Sequence, residues 1–182
     1  MKYLVTGGSG FIGHNVVRIL ESQGHECIII DTETDYGFVP KDELTYLVNA
    51  RLARVQAKPR KIDIRETDHL DTVMRVYKPN AVIHLASFPR QKVVNGNPIL
   101  ASEVMSTGLL NLLELSKKHK ITKFVYISSS MVYGDFSHDV LEAHSCRPQG
   151  QYGIMKLMGE KLVEDYSRQG CFDYTIIRPS AV

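Results

Sequence analysis

The sequence predicts a doubly wound α/β fold, with a parallel sheet of about six strands and helices on both faces. Three observations predict it. Short apolar runs alternate with amphipathic stretches along the whole chain. The runs are apolar throughout rather than at every second position, as strands buried on both faces are. The first run also passes into the first amphipathic stretch through a turn with glycines at positions 7, 10 and 13. The 182 residues are expected to form one domain, 1–182, with enough chain for a substantial core.

The elements follow in order. Tyr3, Leu4 and Val5 make the first strand, and residues 11–23 the helix behind it, stopped by Gly24. Strands are expected at 27–30, 81–85, 124–127 and 174–177, with a shorter one near 61–64. Helical patterns occupy about 66–77, 98–119 and 150–169, with Pro79 and Pro98 in the loops and Gly170 as a C-terminal cap. Between 35 and 58 an extra helix is expected. Asp42 and Glu43 lead it, Leu44, Leu47, Val48, Leu52 and Val55 recur at helical spacing, and Arg51 and Arg54 close it. This helix either covers the adenine end of a cofactor or forms a structural flap, and the flap is the preferred reading.

The glycine turn carries the first chemistry. At a strand-to-helix turn one glycine permits the tight bend, one admits a pyrophosphate to the backbone, and one lets helix and sheet pack closely. The helix start then holds phosphate charge. Asp31 closes the second strand. A carboxylate there accepts hydrogen bonds from adenosine ribose hydroxyls and repels a 2′-phosphate, so NAD is expected rather than NADP. The plainer alternative makes Asp31 the start of a polar loop.

Composition narrows the partners. With 43% hydrophobic and 23% charged residues the chain is an ordinary globular one. A net charge of +2 gives no electrostatic case for nucleic acid or a membrane surface. No apolar run approaches the roughly 20 residues of a membrane span. The opening strand leaves no room for a leader peptide, so a cytoplasmic location is expected. Cys27, Cys146 and Cys171 lie far apart, and His144-x-Cys146 lacks a second ligand pair, so no metal is expected. The cluster Lys117-Lys118-His119-Lys120 closes a helix and is expected to face water.

Two further clusters carry chemistry: Ser128-Ser129-Ser130-Met131-Val132-Tyr133-Gly134 after the fifth strand, and Tyr152-Gly153-Ile154-Met155-Lys156 opening the next helix. Tyr152 and Lys156 share a helical face. Oxidising an alcohol with a nicotinamide needs a base for the hydroxyl proton. A tyrosine with a reference pKa of about 10 must fall by roughly three units, about 4 kcal/mol, to serve near neutrality. A neighbouring ammonium and a cationic nicotinamide have the sign required. Lys156 would supply the ammonium and also grip the nicotinamide ribose, and a serine hydroxyl would polarise the substrate oxygen. The Tyr-x-x-x-Lys spacing alone also occurs as a surface pair.

These motifs resemble the extended short-chain dehydrogenase/reductase family, especially its NAD-dependent epimerase/dehydratase group, which includes UDP-glucose 4-epimerase. The matching segments are Thr6-Gly7-Gly8-Ser9-Gly10-Phe11-Ile12-Gly13, Asp31, Asp63-Ile64, Val82-Ile83-His84-Leu85-Ala86, and the serine and tyrosine clusters. The resemblance implies a Rossmann fold that holds NAD on Gly7, Gly10, Phe11, Ile12, Gly13 and Asp31. It implies adenine contacts from Asp63 and Ile64, and a cofactor channel lined by Leu85, Ala86 and Ser87. It implies Ser129 as the catalytic serine, Tyr152 as the base, and Lys156 as its partner. Family dehydratases place an Asp-Glu pair after the catalytic threonine, and related decarboxylases carry Glu where Met131 stands; here Ser130-Met131 follows Ser129. A nucleotide-sugar 4-epimerase, with a UDP-sugar as substrate, makes the fewest extra demands. A reductase or dehydratase of the same family, and a non-catalytic NAD-binding module, are the alternatives. The resemblance further implies a homodimer through helices near 98–119 and 150–169, with Leu109, Leu112, Leu113, Met155, Met158 and Leu162 offered to the partner; the same residues could face the chain's own sheet.

Two family asparagines are replaced, by Met105 and Ala181. The chain ends at Ile177-Arg178-Pro179-Ser180-Ala181-Val182, where relatives continue into Tyr-Gly-Pro. The C-terminal substrate region is therefore expected to be missing, the chain being either a fragment or a truncated product.

Overall fold

A computed structural model describes residues 1–37, 39–135 and 139–180. Six parallel strands form one sheet: β1 (Lys2–Thr6), β2 (Glu26–Ile30), β3 (Pro59–Arg60), β4 (Ala81–His84), β5 (Lys123–Ile127) and β6 (Asp173–Ile177). Their order across the sheet is β3-β2-β1-β4-β5-β6, the doubly wound arrangement in which the winding direction reverses beside β1. The helices are α1 (Phe11–Ser22), α2 (Lys41–Leu52), α3 (Thr67–Tyr77), α4 (Gln91–Gly96), α5 (Pro98–Ser102), α6 (Gly108–Lys118) and α7 (Gly150–Arg168).

Side chains on successive strand residues point to opposite faces, and the core divides accordingly. Leu4, Ile28, Ile30, Val82 and Phe124 pack on one side with Leu70, Met74, Leu109, Leu112 and Leu113. Val5, Ile29 and Ile83 pack on the other with Val17 and Val55. Thr6 pairs with Ile30 on one flank and His84 on the other, so β1, β2 and β4 end level. Their carboxyl ends open together, where ligands of such sheets sit.

Several sequence expectations shift. The short strand is Pro59–Arg60, not 61–64. Asp63 turns the chain instead: its Oδ1 accepts the Arg65 N–H at 2.9 Å and its carbonyl accepts Glu66 N–H at 2.9 Å. The helix expected over 98–119 is three segments, with a π-helical turn at Glu103–Thr107 between α5 and α6. Met105 lies in that turn and is buried in the apolar core. α4 was not anticipated. Gly24 and Gly170 do close α1 and α7, each with a positive φ of 77°. The basic cluster does not simply face water, because Lys118 and His119 both reach Asp71 on α3, at 2.8 and 2.7 Å. Leu109, Leu112 and Leu113 are fully buried in the chain's own core rather than offered outward. Ala181 lies outside the described residues. No helix among those described is long and apolar enough to cross a membrane.

Candidate active site

A cleft opens at the level ends of β1, β2 and β4. The glycine turn, the stretch after β2, the 62–64 loop and the segment after β4 line it, and so gather eight of the expected residues: Gly7, Gly10, Asp31, Asp63, Ile64, Leu85, Ala86 and Ser87. Phe11, Ile12 and Gly13 do not line it. Phe11 is 56% exposed at the start of α1, and Gly13 serves the turn from behind. A Cβ on Gly13 would lie 2.2 Å from the Gly7 carbonyl oxygen, and one on Gly7 (φ 73°) would lie 2.7 Å from the Ala86 nitrogen. The turn is therefore as tight as backbone permits.

Asp31 locks this turn to β2. Its Oδ2 accepts the Ser9 N–H at 2.9 Å and its Oδ1 the Glu33 N–H at 2.7 Å. Burial raises its pKa, and the two N–H bonds oppose that. Each oxygen keeps a lone pair for a ligand hydroxyl. Asp63 is less free. The Arg65 guanidinium holds it through Nε at 3.1 Å and Nη2 at 2.8 Å and keeps its carboxyl below the usual range. The Ile64 backbone is fixed by the Asn111 side-chain amide, 3.2 Å from its carbonyl.

α2 borders the cleft with Leu44, Val48 and Arg51. The helix is thus a wall of the site, against the preferred reading of a structural flap. Tyr36 also lines the cleft and stacks on buried Phe88 with ring centroids 3.8 Å apart. Among the described residues, the hydroxyls of Ser9 and Ser87 are buried on this cleft without a hydrogen-bond partner. Buried polar atoms rarely stay unpaired. Two orphaned hydroxyls, a backbone-tight glycine turn and a half-satisfied carboxylate fit a phosphate- and ribose-bearing ligand.

The expected catalytic residues form a second cluster after β5. Ser129 caps a 3₁₀ turn, accepting the Met131 N–H at 3.2 Å. Burial raises the Tyr152 pKa, outweighing the lowering by Ser129. Lys156 is buried, donates to the Ile127 carbonyl at 2.8 Å, and has its Nζ 5.7 Å from the Tyr152 ring centroid. Burial pulls its pKa down to about 7, against the favourable pull of Glu160. The sequence expectation joined the Lys156 ammonium to a cationic nicotinamide; in the protein alone, burial is the larger influence on Tyr152.

Sequence reasoning missed the scaffold around this cluster. Glu160, fully buried one turn beyond Lys156, holds Arg178 through Oε1 at 2.8 Å and Oε2 at 2.6 Å and accepts the Ser128 hydroxyl. Arg178 also donates to the Tyr133 hydroxyl at 2.7 Å. One clue was legible: an arginine directly after an apolar strand needs an acid, and Glu160 sits on the same helical face as Lys156. His84 is buried beside Thr6, Nδ1 to Oγ1 2.7 Å, and burial pulls its pKa down to about 3. The Thr6 oxygen accepts the Ala86 N–H at 3.3 Å, which ties this neutral pair to the cleft.

The profile of the NAD dependent epimerase/dehydratase family matches residues 3–182. The chain belongs to that family. Among its curated relatives, the bifunctional protein GAL10 of Kluyveromyces lactis is 33% identical over 187 residues, spanning 97% of this chain and 26% of that protein. The dTDP-glucose 4,6-dehydratase of Neisseria meningitidis is 33% identical over 187 residues, spanning 92% and 49%. The crystal structure of a UDP-glucuronic acid 4-epimerase from Bacillus cereus, in complex with UDP-glucuronic acid and NAD, superposes with a TM-score of 0.83 at 31% identity, over 98% of this chain and 56% of that one. This epimerase/dehydratase family member thus spans about half or less of the relatives' length.

Proposed function

We propose that the chain is the cofactor-binding portion of an NAD-dependent nucleotide-sugar 4-epimerase, residues 1–182 forming one dinucleotide-binding domain, with a UDP-sugar as substrate. The observation that carries this reading is the cleft walled by Gly7, Gly10 and Asp31, with Lys156 buried and its Nζ 5.7 Å from the Tyr152 ring centroid in the same domain. Ser130 and Met131 put no carboxylate next to Ser129, which favours epimerisation over dehydration, a reaction that needs a further acid or base.

In this reading Asp31 and the hydroxyls of Ser9 and Ser87 hold the cofactor's ribose and phosphate groups. When bound, NAD supplies a hydride acceptor that can return the hydride. Tyr152 removes the proton from the sugar C4 hydroxyl and later gives it back, and Ser129 holds the oxygen in place. Lys156, anchored on the Ile127 carbonyl, donates to the nicotinamide ribose and provides the nearby positive charge. Burial raises the Tyr152 pKa, and cationic charge beside the phenol would lower it. A homodimer would use the outer faces of α6 and α7, where Leu110 and Ile154 are exposed.

The test supplies the chain with NAD and UDP-glucose or UDP-glucuronate and follows the sugar C4 configuration by proton NMR. Formation of the C4 epimer without net NADH, abolished in Tyr152→Phe, is expected. Net NADH production or consumption would instead identify a dehydrogenase or reductase, and tight NAD binding without turnover a non-catalytic module.

A further inference from the structure

The helix carrying Tyr152 and Lys156 begins without a cap of its own. Gln149 precedes α7 in extended conformation and makes no capping bond, and the first turn holds no acidic residue. The opening N–H groups of a helix lack intrahelical partners, and Ser, Thr, Asp or Asn usually supplies an acceptor. Here the acceptor comes from α4. Gln91 Oε1 accepts the Tyr152 N–H at 3.0 Å, while Gln91 Nε2 donates to Asn95 Oδ1 at 2.6 Å, one turn along α4. The Tyr152 N–H can only donate, so it takes the amide oxygen and leaves the amide nitrogen for Asn95. Gly150 (φ 75°) lies flat against the same amide, where a Cβ would come within 2.7 Å of both Oε1 and Nε2. The Gln91 side chain is thus seated between Gly150 and Tyr152, and α4 follows directly from the cleft segment containing Leu85, Ala86, Ser87 and Pro89.

We propose that Gln91 is a positioning residue for Tyr152: by capping α7 from the segment that follows the cleft wall, it holds the start of the helix, and with it the phenol, in register with the cleft. The proposal takes the role of Tyr152 as base from the epimerase reading, on which it rests. A cap made by a residue of the same loop would fix only the helix. This one fixes the helix relative to the cleft, which is the relation a proton transfer depends on.

Two variants separate the possibilities. Gln91→Met keeps the length and loses the acceptor, while Gln91→Glu keeps an acceptor oxygen. In the unligated chain with ¹³Cζ-labelled tyrosine, the Tyr152 resonance, assigned by its loss in Tyr152→Phe, is expected to move in Gln91→Met, and the Tyr152 amide to lose protection from exchange. In turnover, Gln91→Met is expected to lose about tenfold in kcat with KM within about twofold, since small misplacements of reacting groups act on the chemical step. Gln91→Glu is expected to restore amide protection and most of kcat. An unmoved Cζ resonance in Gln91→Met overturns the proposal, as does lost amide protection with wild-type kcat, which would mark a cap and nothing more. A wild-type chain without turnover counts against the epimerase reading alone, and the Cζ comparison then decides. Should Gln91→Met not fold, Asn95→Ala, which frees the amide to turn, carries the same comparison.

Discussion

Glu160 and Arg178 form a bidentate pair at 2.8 and 2.6 Å, with the carboxylate wholly buried, and the pair joins the catalytic helix to the last strand of the sheet. Glu160 lies one turn from Lys156, and Arg178 directly follows β6. Removing the acid leaves the part-buried Arg178 guanidinium without its main partner, which costs about 1–3 kcal/mol. Glu160→Ala is therefore expected to lower the melting temperature by roughly 2–4 °C for each kcal/mol lost. Glu160→Gln, which keeps an acceptor for the guanidinium, should lose less. Calorimetric melting of the three proteins checks the order, and equal melting temperatures would contradict it.

Lys156 is predicted to titrate near neutrality. Burial pulls its amine from the ordinary 10.5 to about 7, with Glu160 opposing the fall. The Nζ resonance of the ¹⁵N-lysine-labelled, unligated chain should show one midpoint near 7, absent in Lys156→Met. In Glu160→Gln that midpoint should fall further, because the supporting negative charge is gone. A midpoint above 9 would show that the amine is solvated.

His84 makes stability fall in acid. The unfolded imidazole takes up its proton near 6.5 and the buried one only near 3. Between those values the unfolded chain holds the extra proton. The contribution is fully present above about 6.5 and is lost toward pH 3, at up to about 1.4 kcal/mol per pH unit. Denaturant titrations at pH 6.5, 5.5 and 4.5 should show this slope, and His84→Asn should flatten it. An unchanged slope in the variant would assign the acid sensitivity elsewhere.

Gly13 shows what the sequence disclosed and what it did not. Its place in the turn was legible from spacing, but not that a Cβ there would meet the Gly7 carbonyl oxygen at 2.2 Å. Gly13→Ala is expected to weaken NAD binding by at least about tenfold, ~1.4 kcal/mol, because the clash is with backbone that cannot rotate aside. Titration calorimetry measures it, and wild-type affinity would contradict the packing.

Much of the fold was legible because strands buried on both faces leave long apolar runs and glycines stop the helices. β3 was misplaced because two paired residues carry no periodicity, whereas Ile62 and Ile64 around Asp63 imitate a strand. The π-helical turn at Glu103–Thr107 leaves no mark in an apolar pattern that runs on through it. In the site, Asp31, Tyr152 and Lys156 were suggested by their places along the chain, and Ser129 by the family resemblance. Spacing could not reveal Gln91, whose partner lies 61 residues away and meets it only in the folded chain.

In the proposed function the cleft at the ends of β1, β2 and β4 holds NAD through Asp31 and the glycine turn. Calorimetric titration of the chain with NAD⁺ and with NADP⁺ tests this. NAD⁺ is expected to bind at least about tenfold tighter, with the preference reduced in Asp31→Asn. Equal or tighter binding of NADP⁺, or no binding of either, would contradict it.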